Sequence, residues 1–192
     1  MATTTPYKHA LNNIKGRLMG THQHQAVKWM LEQEMNDSEC PGGLLALDMD
    51  LGKSYVTIAT MKGNDKVAPT LIITPVSILH QWRDLLVSFG GIMPLMVDTS
   101  MGIMSLPSGV DVVLTTYSLF MNNRRKGLPG ILTGTRWGRV VLDEGHVIKN
   151  SGSKTFENIN ALQVGCYSNP YPELCKRHRY SWEMDRMERD AN

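Results

Sequence analysis

Residues 42–54 read GGLLALDMDLGKS. A short apolar run passes through a turn into Gly52-Lys53-Ser54, and the following YVTIATM (55–61) reads as a helix. In a strand–turn–helix of this kind, backbone N–H groups at the helix start face an anion, and the helix dipole adds positive potential there. Gly-Lys-Ser gives the turn the chemistry of a phosphate loop. Lys53 has the reach for β- and γ-phosphates, Ser54 offers a hydroxyl to Mg²⁺, and Asp48, Met49, Asp50, Leu51 and Gly52 form the wrapping backbone. Leu47 departs from the pattern G-x-x-x-x-G-K-[ST] by replacing its first glycine, and Asp50, at one of the open positions, puts a carboxylate inside the loop. At ~4 Å from a phosphate charge, that carboxylate costs about 4 kcal/mol at an effective dielectric of 20. The cost shrinks if Asp50 turns to solvent or Mg²⁺ screens it. A structural joint that merely contains Gly-Lys-Ser is the plain alternative.

Working outward, TLIITP (70–75), GVDVVLTTY (109–117) and WGRVVLDE (137–144) are continuous apolar runs of strand length, and PLMVD (94–98) is a shorter one. Together with GLLAL (43–47) they read as strands buried on both faces. Between them, SILHQWRDLLVSF (77–89), closed by Gly90-Gly91, and SKTFENINAL (153–162) read as helices. Upstream, THQHQAVKWMLEQ (21–33) puts Ala26, Trp29, Met30 and Gln33 at helical spacing. The alternation predicts an α/β fold, with a mostly parallel sheet of about five strands and helices on both faces. Ligands then belong at the carboxyl ends of the strands. About ninety residues after Lys53, an apolar run delivers Asp143 and Glu144 to such an end. Asp143 is placed to hold Mg²⁺ and Glu144 to orient or deprotonate water. Two acids in a solvated turn are the plain alternative for this pair alone.

At 192 residues the chain has the length of one domain. It is 42% hydrophobic and 20% charged, an ordinary globular composition. The net charge is +2 with no strongly basic block, so nucleic-acid binding has to come from a site. No apolar run approaches the ~20 residues of a membrane span, and the N-terminus lacks the apolar core of a secretory signal. The three cysteines are odd in number and widely spaced, which fits a reducing compartment. Cys166, Cys175 and His178 have loose metal-like spacing but no clear fourth ligand. Residues 1–17 read as a loose polar segment, 18–162 as an ATP-binding lobe, and 163–192 as a divergent tail in which SWEMDRMERD (181–190) has a thin helical face.

Five ordered segments resemble the first RecA-like lobe of Swi/Snf-type DNA-dependent ATPases in helicase superfamily two. HQHQAVKWM (22–30) resembles the segment ahead of the phosphate loop and implies that Gln23 reads adenine. GGLLALDMDLGKS resembles the nucleotide loop. TLIITPVSILHQW (70–82) and DVVLTTYSLF (111–120) resemble the two segments that touch DNA backbone, which implies Thr74, Ser77, Gln81, Thr115 and Thr116 as sequence-independent contacts. RVVLDEGHVIKN (139–150) resembles the acidic box, in which His146 would couple the nucleotide site to the DNA site. The Asp-Glu-Gly-His spelling is similar to the subgroup that includes helicase-like transcription factor.

The resemblance implies ATP and Mg²⁺ as cofactors, with Lys53 and Glu144 catalytic and Ser54 and Asp143 at the metal. It implies DNA backbone as a partner, with chromatin or a second lobe in trans, and the nucleus as location. The reaction would be ATP hydrolysis coupled to movement on duplex DNA, in chromatin remodelling or repair. The chain also departs from the family, which usually has Asp and Gly at the positions of Leu47 and Asp50. Past the acidic box the family has a strand ending Leu-Thr-Gly-Thr-Pro, where this chain has VGCYSNPYP (164–172). The LTGT at 132–135 precedes the box and is not that motif. The missing strand would lie between the phosphate-loop and acidic-box strands, so an incomplete sheet and an irregular tail are expected. The second lobe's arginine fingers, worth about 10³–10⁵ in rate, are absent from these residues, so little activity alone is expected. The rival reading is a non-catalytic remnant that binds nucleotide or a partner without turnover. A P-loop kinase or GTPase would not need the Gln23 segment, and the guanine-reading Asn-Lys-x-Asp of a GTPase is absent.

Overall fold

A computed structural model describes residues 5–35, 42–48, 50–98, 102–121, 128–148, 150, 152–164 and the backbone of 181–184. Six strands form one sheet: β1 (Gly43–Leu44), β2 (Thr70–Thr74), β3 (Leu95–Met96), β4 (Val112–Thr116), β5 (Arg139–Asp143) and β6 (Ser181–Met184). Their order is β1-β6-β5-β2-β4-β3, and every pair is parallel. β2 and β5 are buried at every residue, as expected for apolar strands covered on both faces.

Helices α1 (Pro6–Asn13), α2 (Thr21–Met35), α3 (Lys53–Gly63) and α4 (Leu79–Leu85) cover the face that carries Ile72, Leu114 and Val141. Helices α5 (Ser118–Met121), α6 (Gly130–Gly134) and α7 (Lys154–Asn160) cover the opposite face, with Leu71, Ile73, Val113, Val140 and Leu142. The alternation of faces along each strand follows the two-residue period of the pleat.

Several expectations are corrected. The N-terminal segment expected to be loose carries α1, which buries Ala10 against the core shared with α2 and α3. The run at 43–47 pairs only at Gly43 and Leu44 and forms the sheet edge, with Leu44 half-exposed, because the chain then turns away toward the loop. On α2 the buried face is Gln23, Ala26, Val27, Met30, Leu31 and Glu34, whereas Trp29 lies at the surface.

The gap expected between β1 and β5 is filled from the tail. Ser181–Met184 pairs with Val140–Asp143 on one side, and Trp182 and Glu183 pair with Gly43 and Leu44 on the other. The polar–apolar alternation of SWEM suits a strand, and the backbone groups of β5 need a partner in mid-sheet. The helical reading of 181–184 is therefore corrected. The segment 165–180, with Cys166, Cys175 and His178, lies outside the described residues.

At the amino end of β5, Arg139 is clamped in the interior. Its Nε and Nη2 donate to the two carboxylate oxygens of Glu34 at 2.6 and 2.7 Å. Nη1 donates to Thr70 Oγ1 (3.1 Å) and Nη2 to Asn64 O (3.3 Å), while Asn64 Nδ2 donates to Glu34 Oε2 (3.0 Å). The Arg139 and Glu34 side chains are 2% and 0% exposed. This network ties α2, α3, β2 and β5 together at the end of the sheet opposite the carboxyl ends of the strands.

Candidate nucleotide-binding site

The loop after β1 closes at Gly52, which adopts φ 77° at the start of α3. Only glycine takes this left-handed geometry without steric cost, and a Cβ here would collide with Gln23 Nε2. Asp50 is also left-handed, at φ 61°, and is exposed. Lys53 folds across the loop and donates from Nζ to Leu47 O at 2.7 Å and to Asp48 O at 3.5 Å. Ser54 follows it in the first turn of α3. Gln23 Nε2 donates to Leu51 O (3.0 Å), its Oε1 accepts from Met19 N (2.7 Å), and His22 Nε2 lies 3.2 Å from the same Leu51 O. The start of α2 therefore braces the loop. Gln23, expected from the resemblance to read adenine, has its oxygen and one N–H engaged on backbone. Met49 lies outside the described residues.

Asp143 ends β5 as a buried side chain. Trp82 Nε1 donates to its Oδ2 at 2.5 Å, Thr74 Oγ1 donates to the same oxygen at 3.4 Å, and the Tyr117 hydroxyl donates to Asp143 O at 2.9 Å. Burial is the main cause that pushes the Asp143 carboxyl above the usual range. The Glu144 charge adds to the rise, while the Trp82 and Thr74 hydrogen bonds and the Lys53 charge oppose it. Glu144 has φ 56°, a rare conformation for a non-glycine residue that turns the chain out of the strand. Its Oε2 lies 3.3 Å from His146 Nδ1, with both side chains partly exposed. Loop and acidic strand end thus share one end of the sheet.

These residues fit a nucleotide phosphate with its metal. Lys53 already holds its ammonium on carbonyl oxygens within the loop, Gly52 supplies the left-handed turn that starts α3, and Asp143 is a carboxylate oriented by Trp82 and Thr74.

The residues expected to touch DNA divide. Thr74 and Thr115 are fully buried; Thr74 bonds to Asp143, and Thr115 Oγ1 donates to Val97 O at 2.8 Å. Their hydroxyls are internal, which corrects that expectation for both side chains. Ser77, in the 3₁₀ turn Val76–Ile78, and Gln81, on α4, are exposed. Thr116 is half-buried, with its hydroxyl 2.6 Å from that of Ser118. The sequence reading missed Trp82 and Tyr117 as partners of Asp143. Their apolar bodies look like ordinary core, and only the position of each directly beside a strand-end segment hints at more.

Because burial holds the Asp143 carboxyl high, its ionised form destabilises the folded chain. The penalty is absent below the unfolded value near 4, grows as pH rises toward the raised folded value, and is complete above it. Asp143→Asn is therefore expected to be the more stable protein at pH 7, by about 0.5–2 kcal/mol. Urea midpoints of the two proteins at pH 7 and pH 4 check this, and the gap should narrow at the lower pH.

The SNF2-related domain model matches residues 22–165. "Switch 2" of Arabidopsis thaliana is 33% identical over 171 residues, covering 79% of this chain and 19% of that protein. "ATP-dependent DNA helicase DDM1" of the same plant is 28% identical over 165 residues, covering 79% of this chain and 21% of that protein. The chain thus spans about a fifth of the length of these relatives. Among solved structures, the Sulfolobus solfataricus SWI2/SNF2 ATPase core in complex with dsDNA superposes with a TM-score of 0.69 at 27% identity, covering 90% of this chain and 32% of that one. With its parallel sheet and a domain match that spans most of its length, the chain belongs to the SNF2-related family and forms the first RecA-like lobe of a Swi/Snf-type core in helicase superfamily two.

Proposed function

We propose that the chain is the ATP-binding first lobe of an ATP-dependent DNA translocase that acts in chromatin remodelling or repair, in the nucleus. The observation that supports this most directly is that the Gly52-Lys53 turn after β1 and the Asp143-Glu144 end of β5 lie at the same end of one parallel sheet, in a chain of this family. Lys53 neutralises phosphate charge and the N–H groups around Gly52 orient the phosphate chain. Ser54 and Asp143 hold Mg²⁺, which when bound supplies further charge neutralisation at the phosphates. Glu144 positions and deprotonates the attacking water, and its contact with His146 links it to the surface. Gln23 and His22 set the loop, and the second amide N–H of Gln23 is the group left for a base.

Ser77 and Gln81, in the segment that follows β2, and Thr116, at the end of the adjacent β4, form the DNA-backbone surface, with chromatin or a second lobe in trans as further partners. DNA-bound and repair relatives favour this reading: the solved archaeal core carries dsDNA, and "DNA repair protein rad5" of Aspergillus fumigatus is 27% identical over 169 residues, covering 65% of this chain and 14% of that protein. Taken by themselves these residues are expected to bind Mg-ATP with little turnover, with or without DNA.

Calorimetric titration with Mg-ATP at fixed salt tests the reading, with Asp50 as the internal probe. Asp50→Gly removes a like charge and a left-handed Cβ, and is expected to tighten binding about tenfold, or ~1.4 kcal/mol. That is a share of the Coulomb figure reduced because Asp50 is exposed to solvent. Asp50→Asn should recover part of the gain. Absence of binding by all three proteins would overturn the proposed function. Equal binding by all three would show that Asp50 faces away from the phosphates.

A further inference from the structure

Two surface segments that carry the candidate DNA contacts also reach into the interior, and their inward groups meet on one residue. From the segment after β2, Gln81 is exposed while its neighbour Trp82 is 2% exposed and donates to Asp143 Oδ2 at 2.5 Å. From the segment after β4, Thr116 is half-buried while its neighbour Tyr117 is 3% exposed and donates to Asp143 O at 2.9 Å. Thr74, last in β2, adds a second donor to Oδ2. A buried indole N–H needs an acceptor, and the usual solution is a backbone carbonyl. Among the described residues, the other fully buried tryptophan follows that rule: Trp137 Nε1 donates to Leu132 O at 3.1 Å. Trp82 instead spans 61 residues to reach the carboxylate assigned to the metal. A hydrogen bond to a charged acceptor is shorter and stronger than a neutral one, and it fixes the orientation of the carboxylate.

We infer that Trp82 is a positioning residue: its indole N–H fixes the Asp143 carboxylate and passes a shift of the Gln81-bearing helix to it. The inference rests on the reading of Asp143 as a metal ligand and of Ser77 and Gln81 as DNA-facing. A DNA backbone held at Ser77 and Gln81 moves or stiffens α4, and α4 carries the donor that sets Oδ2. The carboxylate and the surface are then two ends of one rigid lever less than a helical turn long. Tyr117 gives the β4 segment a parallel hold on the backbone of the same residue.

The test compares Trp82→Phe with Trp137→Phe. Both remove a buried indole N–H and keep an aromatic ring, but only the first N–H ends on Asp143. For each protein, ADP affinity is measured with Mg²⁺ and with EDTA, and then with Mg²⁺ and duplex DNA. Trp82→Phe is expected to cut the factor by which Mg²⁺ tightens ADP at least about fivefold, to leave the metal-free affinity within about twofold, and to abolish the response to duplex DNA. Trp137→Phe should leave the Mg²⁺ factor and the DNA response as in wild type. Equal changes in the two variants would reduce Trp82 to packing and overturn the inference, as would an unchanged Mg²⁺ factor in Trp82→Phe. If Trp82→Phe does not fold, the assigned indole N–H resonance of Trp82 in the wild-type chain decides. It should move on adding Mg-ADP and again on adding duplex DNA, and a resonance that stays still in both overturns the inference. Failure of the underlying reading looks different, because the wild type would then bind no nucleotide.

Discussion

Replacing Arg139 with methionine is expected to cost the fold about 3–5 kcal/mol and to lower its thermal midpoint by about 10 °C. The Glu34 carboxylate is fully buried, and its two oxygens take both forks of the Arg139 guanidinium. Without that partner the carboxylate loses its bidentate cation while Asn64 Nδ2 still donates to it, and Thr70 Oγ1 and Asn64 O each lose a donor as well. An uncompensated buried charge is far more damaging than the net worth of the pair. The double variant Arg139→Met/Glu34→Leu removes both charges and is expected to regain most of the loss, which separates orphaned charge from lost attraction. Urea and thermal unfolding followed by circular dichroism measure all three proteins. A single variant within about 1 kcal/mol of wild type would show that water reaches Glu34 and that the network is not dry.

What the sequence reveals divides along the same physical line. Gly52-Lys53-Ser54 is legible because a phosphate loop is local: three adjacent residues after an apolar run carry both geometry and charge. Asp143 and Glu144 are legible because a valine-rich run can deliver them only to a strand end. Glu34 and Arg139 are not, since a pair 105 residues apart leaves no mark on either neighbourhood, and each alone reads as a solvated charge. Trp82 was legible as core but not as the donor to Asp143, because the direction of its N–H is a tertiary fact. Strand β6 was hidden by its setting. SWEM is four residues long, and what makes it a strand is the vacant edge between β1 and β5 rather than its own propensity. Helix α1 was hidden by a polar surface, since its burial falls on Ala10 with support from Tyr7, Leu11 and Ile14. Thr74 and Thr115 show the opposite failure. A correctly located strand end does not tell which of its hydroxyls faces out.

Lys53→Ala is expected to weaken Mg-ATP binding about a hundredfold, or ~2.7 kcal/mol, while moving the thermal midpoint by no more than about 2 °C. Lys53 is half-buried, and its ammonium rests on Leu47 O and Asp48 O, carbonyls of a loop that Gln23 and His22 hold from the other side at Leu51. Removing it therefore leaves the brace of the loop standing, so the fold should persist. What is lost is a cation about 4 Å from phosphate, worth ~4 kcal/mol at an effective dielectric of 20 and less after screening by salt and water. Loss of the same charge also removes one of the influences that hold the Asp143 carboxyl down, so the metal-assisted part of binding should weaken along with the direct part. Lys53→Arg should recover only a fraction, because a planar guanidinium is bulkier than the compact ammonium the loop encloses. Calorimetric titration at fixed salt, with and without Mg²⁺, reads both parts. Retention of wild-type affinity by Lys53→Ala, in a protein with an unchanged thermal midpoint, would mean that phosphate does not approach this loop and that the acidic strand end serves another ligand.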